Sequence, residues 1–256
     1  MRILVCVKRV PVTGGRIVLS AAARAIDTRF LGFTVSPHEE CAVEAAVRLV
    51  EAQGGEAVVL TLGPREAEEQ LRDAMAIGAD LAVLLETDGE EWDPQATARA
   101  IADAVREQEG SGDAFDLLLF GNEAADSGDY QVGVRVATAL NLPCVTGVKS
   151  LEALDGRIVA KREAPGGWEV FELPLPAVVA VREGINLPRF PSVPGRLRAK
   201  KKPVERVAVK PDAGGQEMVL LKLPEGAGKQ VEVLGHGPEA APRVVEVLRT
   251  LGMVPS

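Results

Sequence analysis

The chain has 256 residues and a formal net charge of −8. That length suits one large α/β domain, or one domain with an appendage, and the acidic balance argues against a nucleic-acid surface spread over the whole chain. Hydrophobic residues make up 46% and aromatics only 4%, so the core must be built mainly from Val, Leu, Ile and Ala, as in a parallel sheet covered by Ala-rich helices. Cys6, Cys41 and Cys144 have no metal-ligand spacing and read as reduced thiols of a cytoplasmic protein. No apolar run has the length of a membrane span, and the chain opens directly on a strand rather than on a secretory signal.

The predicted elements alternate. Arg2 to Val7 holds the apolar run Ile3-Leu4-Val5-Cys6-Val7 and reads as a buried parallel strand. A polar, Gly-containing stretch follows to about Thr34, with weak strand signals from Arg16 to Leu19. Ser36-Pro37-His38-Glu39 is a helix start: Ser36 caps, Pro37 takes the first helical position and Glu39 completes a capping box. Val43, Ala46, Val47 and Val50 form its apolar face, and Gly54-Gly55 ends it. The spacing then predicts a strand over Ala57 to Leu62, a helix over Pro64 to Ile77 and a strand over Leu81 to Leu85. Asp93-Pro94 opens another helix, Asp116 to Phe120 is a strand, and Gln131 to Leu140 is a helix with Val132, Val136, Ala139 and Leu140 facing inward.

After Pro143 the pattern changes. Cys144 to Ser150, Arg157 to Arg162 and Trp168 to Leu173 are strand-like, with turns at Asp155-Gly156 and Gly166-Gly167. Ala177 to Val181 is another apolar strand. Gly184 to about Pro203 is Pro-rich and basic and reads as an exposed extended segment, and a short helix covers Pro242 to Leu251. The expected fold is therefore α/β: a Rossmann-like three-layer parallel sheet with a β-hairpin extension, followed by a loop-rich remainder that ends in the short helix. The expected divisions are 1–183, 184–206 and 207–256.

Catalytic equipment is sparse. There are two histidines, no Ser-His-Asp or Cys-His arrangement, no Walker A sequence and no G-x-G-x-x-G after a strand. An ATP-using enzyme of this fold class would need a Gly/Ser-rich loop after the first strand, where this chain has Lys8-Arg9-Val10-Pro11. The informative loop is Gly121-Asn122-Glu123-Ala124-Ala125-Asp126-Ser127-Gly128-Asp129-Tyr130-Gln131-Val132-Gly133, which runs from a strand into a helix. Its glycines permit close backbone approach, the helix start favours a phosphate, and Asp126, Ser127 and Gln131 can bond a sugar or a base edge. A solvated loop with ordinary turn chemistry is the alternative. On local pattern alone Cys6 reads as a core thiol, Leu62-Gly63-Pro64 as a tight turn and His38 as a solvent-facing residue. The basic run Arg196, Arg198, Lys200, Lys201, Lys202 reads as a nucleic-acid or membrane patch, as a solvated loop, which the acidic balance supports, or as a patch that steers an acidic protein partner.

Several stretches together resemble the electron transfer flavoprotein β-subunit (small-subunit) family. They are Val5-Cys6-Val7-Lys8-Arg9-Val10, Glu40 to Leu49, Leu62-Gly63-Pro64, Ala76-Ile77-Gly78-Ala79-Asp80 and the Gly121 to Gly133 loop. The match is strongest over Gly166-Gly167 to Val179, Ile185-Asn186-Leu187-Pro188-Arg189-Phe190-Pro191-Ser192 and Ala199-Lys200-Lys201-Lys202, and it spans nearly the whole chain in order. The resemblance implies a fold like the adenine nucleotide α-hydrolases, a heterodimer with an α subunit embraced by the C-terminal arm, and FAD held mainly by that α subunit. It implies a non-catalytic redox shuttle of fatty acid oxidation, taking electrons from acyl-CoA and related dehydrogenases to a membrane quinone oxidoreductase, with no nucleic acid and no membrane insertion. It also implies a structural AMP contacted by Cys6, Ser36, Pro37, His38, Glu39, Leu62 and the residues Gly121 to Val132. Asn186, Pro188, Arg189 and Val193 fall on the segment that docks dehydrogenases, with Val193 at an apolar anchor position commonly Leu. Thr13 and His38 stand where many members place aromatics near the flavin, and Leu187 stands where Glu is common. A branch of the family carries a second FAD in place of AMP and bifurcates electrons, often with Asp after the N-terminal Pro; here Pro11 is followed by Val12, which favours AMP.

Overall fold

A computed structural model describes residues 1–12, 14, 17–211, 215–223 and 232–254. They fall into two compact units, Met1–Val219 and Leu220–Ser256. In chain order the first unit contains β1 (Arg2–Cys6), β2 (Val10–Pro11), β3 (Phe33–Thr34), α1 (Pro37–Gln53), β4 (Glu56–Gly63), α2 (Glu68–Ile77), β5 (Leu81–Glu86), α3 (Pro94–Gly110), β6 (Leu117–Gly121) and α4 (Val132–Leu140). It continues with β7 (Cys144–Leu154), β8 (Arg157–Ala164), β9 (Gly167–Pro174), β10 (Ala177–Val181), α5 (Val193–Ala199) and β11 (Val204–Ala208). The second unit carries α6 (Ala241–Thr250).

One nine-stranded sheet runs in the order β11-β5-β4-β1-β6-β10-β7-β8-β9. It is parallel from β11 to β7. β8 and β9 add to it antiparallel, which is the expected hairpin extension. The central strands are apolar on both faces because helices cover both. Ile3, Val5, Val59 and Leu119 pack with α1 and α2, whereas Leu4, Cys6, Leu60 and Phe120 pack with α3 and α4. Alternate side chains of a strand point to opposite faces, so each of these strands feeds two cores.

The boundaries follow from local chemistry. Gly54 stands at φ +76 after α1, and Asp93 caps α3 by accepting from the Gln95 and Ala96 amides at 2.8 and 3.2 Å. Two predicted features differ. On α4 Val132, Val136 and Leu140 face the core as expected, joined by Ala137 rather than Ala139, which is exposed. The stretch expected to be extended from Gly184 to Pro203 contains a short helix, α5, started by Ser192, whose hydroxyl accepts from the Gly195 amide at 3.1 Å. Beyond it β11 pairs with β5 and forms the far edge of the sheet. Leu19 makes an isolated bridge with Ile26. Residues 13, 15 and 16, and with them the expected flavin neighbour Thr13, lie outside the described residues. In the second unit α6 has the predicted apolar spacing Val244, Val247, Leu248, Leu251, and none of that unit's described residues is buried.

Candidate cofactor-binding site

The chain order changes direction beside β1. β4 and β5 extend the sheet on one side of it, and β6 then enters on the other. In open α/β sheets ligands bind at such a switch point, beyond the carboxyl ends of the strands. The residues arriving there are the turn after β1, the first turn of α1 and the loop from β6 to α4.

These three pieces are bonded to one another. Glu39, in the first turn of α1, accepts from the Ser36 amide at 3.2 Å, which forms the expected capping box, and from the Lys8 amide at 3.0 Å. Gly121 is forced by this arrangement: a Cβ there would lie 2.6 Å from Glu39 Cγ. The Ser36 hydroxyl reaches the Glu123 carbonyl at 3.5 Å. Lys8 Nζ binds Asp126 at 2.7 Å and Glu91 at 2.6 Å, so the ammonium ties the β6–α4 loop to the β5–α3 loop. These partners hold the Lys8 ammonium above its usual range although burial works against its charge. Burial pushes the Glu39 carboxyl up to about 7, against the opposing pull of the Lys8 and Ser36 amides. Burial, with the Glu39 charge beside it, also raises the Cys6 thiol well above its usual range, so Cys6 is an inert packing residue.

The loop is internally closed. The Gly128 amide donates to the Ala124 carbonyl at 2.8 Å, the Ala124 amide to the Asp129 carbonyl at 3.2 Å, and the Ser127 amide to Asp126 Oδ1 at 2.8 Å. Tyr130 donates its hydroxyl to Glu123 Oε2 at 2.6 Å, and Asn122 accepts from the Gly147 amide at 2.7 Å. Gln131 is held by Arg135 and Asp129. Ala125, Ser127, Gly128 and Tyr130 are exposed. α4 begins at Val132 with no side-chain cap, so its first N–H groups are available to an anion.

The structure thus brings Ser36, His38, Glu39 and the Gly121 to Val132 loop together at the end of β1. Cys6 is next to them in the chain but turns its sulfur into the α3–α4 core. Leu62 packs against that same core from β4, and no hydrogen bond links it to the loop. His38 is half-buried rather than solvent-facing: its Nδ1 accepts from the Glu183 amide at 3.1 Å, and its Nε2 lies 3.8 Å from Glu123. Sequence reasoning missed Lys8 and Glu91 as members of the site. Lys8 had a signal, a lone lysine just past a carboxyl strand end; Glu91 had none, because its partner is 83 residues away.

The family described as the electron transfer flavoprotein domain matches residues 26–212. Electron transfer flavoprotein subunit beta of Bacillus subtilis (strain 168) is 34% identical over 98% of this chain and 98% of its own. The chain belongs to the electron transfer flavoprotein β-subunit family. Subunit beta of Syntrophomonas wolfei is 33% identical over 97% of this chain and 96% of its own. Caffeyl-CoA reductase-Etf complex subunit CarD of Acetobacterium woodii is 32% identical over 84% and 83%. As a member of this flavoprotein family the chain serves electron transfer as part of a redox carrier, and such β subunits pair with an α subunit. Among the described residues no helix is long and apolar enough to cross a membrane, and no group of side chains is arranged to hold a metal ion.

Proposed function

We propose that this electron transfer flavoprotein subunit pairs with an α subunit that holds FAD. The pair carries electrons from acyl-CoA or related dehydrogenases to a membrane quinone oxidoreductase, and the crevice at the switch point binds AMP as a structural cofactor. The carrying observation is the uncapped start of α4 at the end of the polar Gly121 to Gln131 loop, a loop that the Lys8 ammonium holds through Asp126 at the carboxyl end of β1. That combination suits an adenine nucleotide. N–H groups at the helix start receive a phosphate, Lys8 can exchange a carboxylate for it, and loop carbonyls and Ser127 bond the sugar. The likeness to a subunit of a caffeyl-CoA reductase–Etf complex supports an acyl-CoA-type oxidoreductase as partner.

In the redox reaction the bound flavin supplies the electron chemistry. This chain's share is to bind, shield and orient. His38 is fixed by the Glu183 amide with its Nε2 side toward Glu123, and Glu39 clamps the turn after β1 onto α1. The test is acid release of bound small molecules from the purified chain and from its complex with the α subunit, followed by chromatography. One AMP on this chain, with FAD appearing only in the complex, is the expected result. FAD on this chain alone would transfer the reading to the bifurcating type, and no nucleotide on either preparation would overturn the crevice assignment.

A further inference from the structure

The proposed docking segment is tied down at both ends. Toward α1, the Asn186 side-chain amide donates to the Cys41 carbonyl at 2.9 Å, and Arg48 donates to the Leu187 carbonyl at 3.1 Å. Arg189 then lies across two carboxylates of the same helix. Its guanidinium binds Glu44 through Nε at 2.9 Å and Nη2 at 3.1 Å, and Glu51 through Nη1 at 2.6 Å and Nη2 at 2.8 Å. Its backbone N–H adds a bond to Glu44 at 3.2 Å. Toward α2, Arg72 donates to the carbonyls of Ala199 and Lys202 at 2.6 and 2.9 Å, and Lys202 donates to the Ala79 carbonyl at 2.6 Å.

Between these two attachments the apolar side chains Leu187, Phe190, Val193 and Leu197 stand 83%, 95%, 73% and 58% exposed. The exposed cations Arg196, Arg198, Lys200 and Lys201 flank and follow Leu197 in the same stretch. The occupant such a surface fits is a protein with an apolar socket rimmed by acidic side chains, as the proposed dehydrogenase partner would present.

Glu44 is the unusual member. Its side chain is 1% exposed, in mid-helix among buried Ala and Val, whereas the other buried glutamate of α1, Glu39, closes the capping box at the helix start. A buried ion pair is a poor source of net stability, because the desolvation of both charges offsets their attraction. It is a good source of geometry, since a guanidinium engaged by a carboxylate at two nitrogens has one orientation. We infer that Glu44, acting through Arg189, is a positioning residue for partner docking: it holds the Leu187 to Val193 surface preformed, so that the dehydrogenase meets an ordered loop. This rests on the reading that the segment docks the dehydrogenase. A loop ordered in advance spares the association the entropic cost of fixing its backbone.

The test uses the complex with the α subunit as electron acceptor and a purified acyl-CoA dehydrogenase, reduced by its saturated acyl-CoA, as donor. Glu44→Gln removes the buried one of the two charges that bind Arg189, which is also the charge that Arg48 pairs with, and leaves Glu51 in place. Because residue 44 is buried, its side chain cannot touch the donor, and any effect on docking must pass through the segment. The expected result is a rise in KM for the complex of about tenfold with kcat and the flavin spectrum unmoved, together with faster amide exchange at Leu187, Arg189 and Phe190. Arg189→Lys keeps the surface charge and loses the fork, so it should raise KM in the same direction; it serves also if the Glu44 variant does not fold. Val193→Glu separates the two readings. If Val193→Glu raises KM while Glu44→Gln and Arg189→Lys leave it within about twofold, the positioning role is overturned and docking stands. If Val193→Glu leaves KM unchanged, the docking reading falls and this inference with it. A change in kcat or in the flavin spectrum in both clamp variants would mark a general structural role and overturn the inference.

Discussion

Glu39 shows how one side chain organises the crevice. Each of its oxygens receives a backbone N–H, from Lys8 and from Ser36, so it joins the end of β1 to the start of α1. Its carboxyl is pushed up to about 7, by burial first, against a usual value of 4.5. Between those values the folded chain keeps a proton that the unfolded chain has released. Stability therefore falls as pH rises from about 4.5 to about 7, by about 3 kcal/mol in all at about 1.4 kcal/mol per unit. Lys8 and Cys6 face the same carboxyl; Lys8 stays charged and Cys6 neutral throughout this window. In Glu39→Gln the urea midpoint should stay level over that range while the parent's declines. A parent curve without this decline would show that Glu39 is ionised at all these pH values. The capping box was legible from Ser36 and Glu39, because its partners are three residues apart. The second bond, to Lys8, was not, because only the sheet brings residue 8 to residue 39.

At the scale of elements, legibility followed burial on both faces. Strands such as Ile3 to Val7 and Ala177 to Val181, and helices with a wide apolar stripe, are visible from spacing because one geometry alone hides their apolar residues. α3 is an example with a measurable start. Asp93→Ala removes the acceptor of two amides, and the expected loss is about 1 kcal/mol, read as a lower denaturation midpoint at constant slope. An unchanged midpoint would mean that water or the neighbouring chain satisfies those amides equally well. α5 and β11 were less legible for a physical reason. α5 is seven residues long, with Pro194 and Gly195 near its start, and lies against α2. A Cβ on Gly195 would stand 2.5 Å from the Ala76 carbonyl, so this glycine, unfavourable for an isolated helix, is what lets the two helices approach. β11 has no buried residue and no regular alternation, with Val204 and Val207 half-buried and the rest exposed, and acquires its identity from the open edge of β5.

At the scale of the whole molecule, the apolar surface left uncovered is what a subunit of a larger assembly shows. Trp168 and Val170 on β9 are 55% and 58% exposed, on the outermost strand of the sheet. α6 carries an apolar stripe in a unit with no buried residue among those described. Monomeric proteins rarely leave such surfaces bare, and an open sheet edge invites pairing. Adding the α subunit should raise the thermal midpoint of this chain, in a way that depends on the concentration of the partner. A midpoint unmoved by saturating partner would mean that these surfaces are not what the α subunit covers.

The sequence by itself determined the alternation of strands and helices, the hairpin extension, the capped starts of α1 and α3 and the family, because those depend on spacing within one element or on ordered runs of residues. It also placed the loop from Gly121 to Gly133 at a strand's carboxyl end. Only the tertiary structure decided which charges meet: Lys8 with Asp126 and Glu91, and Arg189 with Glu44 and Glu51, pairs separated by up to 145 residues. Electrostatic and hydrogen-bonded contacts act over a few ångströms and leave no periodicity along the chain. A buried glutamate on an Ala-rich helix looks like any solvent-facing one until the packing shows what has been laid across it.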